Sequence, residues 1–299
     1  MKVFDFFGSY SIFNGILNIF PNIGLAASVR LLDKNYTGGL VRVRAWDGSA
    51  DQGQADVMPY KIGSDSWVDM NSLLTNLDTN SINRGLTTTS TLADLVDVGG
   101  DNYDGLVPKI NDQTGNGNDY IQTIAARQGR LINGGVMNLL NGKPVILRSV
   151  DNNGGYLSQF NTNINQIDKD YYFVGNNDGK TSCMSGPESG QFWWSYISQN
   201  GSTSTSVNGN YRKSNEFLNG NSFTYVNRGD VYNSALNQFL LRNKYDFVSS
   251  GNIQKKALGY NFDNPFNLGM YSFQEELTWL DSSDSVAKEN NINNSFNVF

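Results

Sequence analysis

The chain of 299 residues carries 38% hydrophobic and 12% aromatic residues, enough to fill one large core, and its 31 glycines imply many turns. A net charge of −6 and a sequence pI of about 4.7 exclude the clustered cations that a phosphate backbone requires, so nucleic acid is not an expected partner. Histidine is absent and Cys183 is the single cysteine, which removes histidine-based catalysis, an intrachain disulfide and His/Cys metal sites. No stretch approaches the roughly 20 continuous apolar residues of a membrane-spanning helix.

Residues 1–24 are set apart by aromatic content, with Phe4, Phe6, Phe7, Phe13 and Phe20 among Ile12, Ile16, Leu17 and Ile19. Such a segment needs a partner surface. We expect an oligomerisation or docking segment here, with packing on the chain's own core as the competing reading. Asp5, Asn14, Asn18 and Pro21 interrupt any apolar run, so a cleaved signal is not expected.

Residues 38–46 (GGLVRVRAW) alternate apolar and polar side chains at period two, which predicts a first half-buried strand closed by the Asp47-Gly48 turn. A polar stretch without a predicted strand follows to about Ser66. Residues 90–98 predict a short helix capped by Ser90 or Thr91. Residues 112–119 (DQTGNGND) predict a rigid turn, because Asn and Asp side chains bond nearby backbone N–H groups and the glycines accept positive φ. The same run matches the first, third, fifth and sixth places of a calcium loop, with Asp112 and Asn116 as candidate ligands, but its twelfth place is Thr123. No cofactor is expected, calcium being the alternative. Strands are predicted at 120–124, 144–147, 170–174, 192–197, 223–226 and 238–241, each short and bounded by Gly, Asn or Ser. That pattern predicts an all-β antiparallel sandwich of jelly-roll type with one or two short helices.

Three stretches resemble one family. Residues 26–32 with Tyr36-Thr37-Gly38-Gly39 and Val41-Arg42-Val43-Arg44, the run 112–119 with Asn141-Gly142-Lys143-Pro144, and residues 273–277 with Asn291-Ile292-Asn293-Asn294 are similar to motifs of concanavalin-A-like lectin/glucanase domains. The kind they resemble is related to the catalytic domain of fungal α-L-arabinofuranosidase B. Similar domains recur in phage structural and bacterial surface proteins. The resemblance implies one sandwich domain over residues 25–299, and it fades between about 175 and 236.

Glycosidases need two carboxyl groups across the scissile bond. The glutamates are Glu188, Glu216, Glu275, Glu276 and Glu289. Glu275 and Glu276 fall in a strand motif and Glu289 in an expected closing helix, which leaves Glu188 and Glu216 as weak catalytic candidates. The family's glutamate and aspartate cannot be carried onto numbered positions, which weighs against activity. Aromatics of the same region, Trp193, Trp194, Tyr196, Tyr211 and Tyr225, interleave with Ser, Asn and Gly in a mixture that suits sugar faces and hydroxyls. The preferred expectation is therefore a virion-surface, homo-oligomeric spike protein, a homotrimer or similar, that binds host-surface carbohydrate alongside other virion proteins. Hydrolysis of a surface polysaccharide is the alternative, as is placement on a bacterial surface or in the medium.

Overall fold

This computed structural model describes residues 15–62, 65–147, 156–165, 169–177, 182–187, 195–197, 203–204, 211–218, 220–223, 238–247, 252–258, 271–281 and 283–298. In chain order the main elements are α1 (Ile16–Ile19), β1 (Ile23–Ser28), β2 (Val41–Trp46), β3 (Asp51–Val57), α2 (Thr79–Asn83), α3 (Leu92–Val96) and β4 (Asp104–Ile110). They continue with β5 (Tyr156–Asn165), β6 (Lys169–Asn177), β7 (Ser182–Pro187), β8 (Ser195–Ile197), β9 (Tyr211–Leu218) and β10 (Asn221–Phe223). The last are β11 (Phe239–Phe247), β12 (Asn252–Leu258), β13 (Tyr271–Trp279) and α4 (Ser285–Phe296).

All the pairings are antiparallel, and the strands form a β-sandwich. One run of neighbours is β3–β2–β4, the short strand Tyr120–Ile121, then β5–β12–β7–β8. The other is β1–β13–β6–β11–β9–β10. Strand Gly129–Asn133 joins them, pairing with β4 and with Ile146–Leu147, which itself pairs with β13.

The β2 alternation is realised, with Val41, Val43 and Ala45 fully buried and the residues between them half-buried. The helix expected at 90–98 forms as α3. Thr91 accepts from the Asp94 N–H while the Asp94 carboxylate accepts from Thr91, a reciprocal capping box.

Several strands depart from the sequence reading, among them Gly129–Asn133, β5, β7, β9 and β12, and the first two in the chain show why. β1 precedes the strand expected to be first, and all six of its residues are buried. With both faces covered it has no alternation to detect. β3 occupies the polar stretch after Asp47 because its side chains are matched across the hairpin: Asp56 lies opposite Arg42 and accepts from its guanidinium at 3.0 Å, and Arg44 pairs with Asp51 at 3.1 Å. Gly53, with φ of 131°, gives Ser81 of α2 room to lie against β3, since a Cβ there would meet its hydroxyl at 2.5 Å.

Residues 15–24, grouped by sequence with the aromatic appendage, are part of the sandwich. Ile16 and Leu17 are core residues, Phe20 stands edge-on to Trp279 at 6.4 Å, and Trp279 Nε1 donates to the Phe20 carbonyl at 2.9 Å. Ile19, by contrast, is exposed. Phe4, Phe6, Phe7 and Phe13 lie outside the described residues.

The turn at 112–119 is a rigid knot with a buried base, Asp112, Gln113 and Asn118, and an exposed tip at 115–117. Asp112 Oδ1 accepts from the N–H groups of Ala26 and Thr114, and Oδ2 accepts from the Thr114 hydroxyl and the Asn118 N–H. Gln113 clasps the segment after β1, accepting from Leu32 N–H and donating to the Arg30 carbonyl, each at 2.8 Å. Asn118 donates to the Gly24 carbonyl at 2.9 Å. Gly115 and Gly117 take φ of 78° and 73°, as the turn requires. The knot thereby fixes β1 to the end of β4.

Removing the central acceptor orphans several of these N–H groups. Asp112→Ala is expected to lose about 3 kcal/mol of unfolding free energy in denaturant titrations, while Asn116→Ala, at an exposed position, changes it by less than ~0.5 kcal/mol.

Candidate functional site

The candidates read from sequence separate by place. Glu188, Trp193, Trp194 and Tyr225 lie outside the described residues. Tyr196, Tyr211 and Glu216 are placed by backbone alone. Tyr196 sits in β8 between Cys183 and Ser204, and Tyr211 opens β9 opposite Phe247. Glu216 lies in β9 between Phe223 of β10 and Asn243 of β11. In strand order these positions occupy the half of each sheet farthest from β1–β3.

Asp112 does not present itself to a cation. Both its oxygens already accept hydrogen bonds from four protein donors, and N–H groups directed at those lone pairs would repel a metal. Burial pushes its carboxyl up, against the pull of those donors. Asn116 is exposed on the outer side of the turn. Among the described residues no group of three or more Asp, Glu or Cys converges as a metal site would require.

The described polar side chains that approach Glu216's hairpin form a buried network under α4. This helix is rich in Asn and has little intrinsic propensity to form, so its buried positions Lys288, Ile292 and Phe296, spaced by four, hold it to the sheet. From β6 comes Asp170, from β11 Arg242, and from α4 Ser285, Lys288 and Glu289. Asp170 is fully buried. One of its oxygens accepts from the Ser285 hydroxyl and from the Tyr172 hydroxyl, and Tyr172 also reaches the Ser285 carbonyl at 3.0 Å. Glu289 pairs with Arg242 at 3.2 Å, the two side chains being 5% and 6% exposed, and its other oxygen accepts from the Gly220 N–H at 3.1 Å. Gly220 lies in the turn between β9 and β10, so the helix holds the hairpin that carries Glu216.

Burial dominates the electrostatics. It pushes the Asp170 carboxyl up, partly offset by Ser285, Lys288 and Arg242. It pushes Glu289 up as well, against Arg242 and the Gly220 N–H, with Asp170 adding to the rise. Lys288 turns the other way: its ammonium donates to Asp281 at 3.2 Å and lies 5.0 Å from the Trp279 ring centre. For Asp281, burial is outweighed by hydrogen bonds from Ser283, Asn22 and Lys288, and its carboxyl falls to about 2.

A second buried pair lies at the opposite end of α4. Arg30 donates through Nε to Glu275 Oε2 at 2.6 Å and through Nη2 to Oε1 at 3.0 Å, while Ser28 donates to Oε2 at 2.9 Å. Arg30 Nη1 reaches Ser295 of α4 at 2.7 Å, and its guanidinium lies 5.4 Å from the Phe296 ring centre. Neither Glu275 nor Glu289 has a face open to a sugar, so both act in the scaffold. Sequence reading placed these two glutamates correctly but missed their partners, Arg30 and Arg242. Arg30 lies inside the "S-x-R" stretch of the opening motif; Arg242 directly follows the apolar run 239–241.

An antiparallel sandwich with family-like motifs at both ends defines the class of fold. No family model matches the sequence, and no curated protein matches it. Among solved structures the fold is similar to a mutant GH54 α-L-arabinofuranosidase soaked with 4-nitrophenyl α-L-arabinofuranoside, at a TM-score of 0.51 and 13% identity, covering 90% of this chain and 62% of that one. A GH54 α-L-arabinofuranosidase soaked with a cyclic sulfate inhibitor gives 0.48 at 15% identity over the same shares. An arabinofuranosidase complexed with arabinofuranosyl-α-1,2-xylobiose gives 0.46 at 15%, again over the same shares. The chain thus spans less than two thirds of these neighbours. The first likeness carries the fold, and no described helix is long and apolar enough to cross a membrane.

The raised carboxyls set a pH dependence. An acid raised by folding favours the fold most below its unfolded value, here 3.8 for Asp170, and that advantage is lost as pH climbs through the raised value. Asp170→Asn has no charge to bury. Its stability relative to wild type is therefore expected to improve as pH rises above 3.8, read from paired thermal melts at each pH.

Proposed function

We propose that the chain is a carbohydrate-active sandwich that hydrolyses an arabinofuranosyl linkage, and that Glu216 is one of its two reacting carboxyls. The observation supporting this is the likeness, over 90% of the chain, to an arabinofuranosidase soaked with an aryl arabinofuranoside. Engagement of a glycan is common to this reading and to a purely receptor-binding one, while the nature of that neighbour favours hydrolysis.

Elimination among the described glutamates supports the residue, Glu188 lying outside them. Glu275 and Glu289 are neutralised by arginines in buried pairs, so neither can approach a glycosidic oxygen. Glu276 lies mid-strand in β13, between Ala27 and Phe173. Glu216 stands instead in β9, beside β10, which is the last strand of that run among the described residues, in a hairpin whose turn is held by Glu289. A surface setting, on a particle or on a cell, rests on the sequence resemblance.

Purified protein incubated with 4-nitrophenyl α-L-arabinofuranoside is expected to release 4-nitrophenolate, and Glu216→Gln to slow the release about 1,000-fold with the fold retained. Saturable binding of arabinofuranosyl polysaccharide without any released sugar would overturn hydrolysis in favour of a lectin-like module. An active Glu216→Gln variant would overturn the assignment of that residue.

A further inference from the structure

We infer that Glu289 is a positioning residue: through the Gly220 N–H it fixes the β9–β10 hairpin, and with it Glu216, in register for reaction. The inference rests on the hydrolytic reading for its consequence and on geometry for its cause. Hairpin β9–β10 lies at the edge of its sheet, where β10 pairs with β9 alone among the described strands. β9 is held along its length by β11, so the weakly supported part is the turn and the three-residue β10.

Glu289 supplies what the edge lacks. Its carboxylate bridges two places on that edge, accepting from Gly220 N–H in the hairpin turn at 3.1 Å and pairing with Arg242 of β11 at 3.2 Å. Arg242 lies directly opposite Phe217 of β9, and the next residue of β11, Asn243, lies opposite Glu216. One buried carboxylate therefore holds the hairpin by its tip and by the row beside Glu216. Its own footing is rigid, since α4 is tied to the sandwich by Arg30–Ser295, by Tyr172 to the Ser285 carbonyl, and by Phe296 stacked edge-on against Trp67 at 5.2 Å. Gly220 adopts φ of 77°, a conformation few side chains share, which presents its N–H to the helix.

Hydrogen exchange and kinetics on one variant test this. Replacing both partners, Arg242→Met with Glu289→Leu, removes the clamp, while Asp170 keeps the Ser285 hydroxyl and Lys288 as its compensation, so the sandwich should still fold. Amides of residues 211–223 are expected to exchange at least ~10-fold faster than in wild type, with residues 41–57 unchanged. With the chromogenic arabinofuranoside, kcat is expected to fall ~10-fold while KM stays within ~2-fold, the signature of a displaced reacting group. Glu289→Gln, which keeps an acceptor for Gly220, should retain the protection of 211–223. Unchanged exchange across 211–223 in the double variant would overturn the inference, whatever the activity. A wild type that releases nitrophenolate and a double variant with loosened hairpin but unaltered kcat would overturn the positioning role. A wild type that releases none defeats the hydrolytic reading alone, and exchange then decides the clamp.

Discussion

The ion pair between Arg30 and Glu275 is the constraint on which the rest of this structure depends. Taking both charges out of water costs several kcal/mol per ion, and only near-complete hydrogen bonding offsets that cost. Here the guanidinium meets the carboxylate through two N–H groups, Ser28 donates to the same carboxylate, and Ser295 accepts the guanidinium's remaining reach. Glu275 belongs to β13, which has β1 on one edge and β6 on the other. Arg30 follows β1, and Ser295 closes α4. The pair is thus the point where the described start of the chain, its last strand and its last helix meet.

From that point two lines of constraint run outward. Along one, the knot at 112–119 holds β1 through Ala26, Gly24, Arg30 and Leu32 and so ties it to β4 of the facing sheet. Along the other, α4 lies over β6 and β11 and ends its reach at Gly220. The first line makes the scaffold one body. The second passes the rigidity of that body to the hairpin on which the proposed reacting carboxyl sits.

Much of this was legible in the sequence where local chemistry decides. The alternation of residues 41–46, the cap at Thr91 and the turn chemistry of 112–119 all act within a few residues, and each appears where expected. β1 and β3 were not legible, for opposite reasons. β1 is covered on both faces and lacks alternation, whereas β3 is a strand of Asp, Gln and Gly whose stability comes from the arginines of β2 rather than from its own propensity. The site was less legible than the fold. Sequence reading assigned Glu275 and Glu289 to structure, but the reason lies in Arg30 and Arg242, which are 245 and 47 residues away in the chain, and spacing carries no trace of such pairings. Phe20 shows the same limit, since an aromatic side chain reads alike whether it meets another copy or Trp279 of its own chain.

The central claim, that a buried charge pair organises the sandwich, is tested most directly by a double-mutant cycle with Arg30→Met and Glu275→Leu. Each single substitution strands the other charge and should cost about 3–5 kcal/mol of unfolding free energy, while the double variant should cost no more than either single change. Costs that simply add, or single costs below ~1 kcal/mol, would contradict the account.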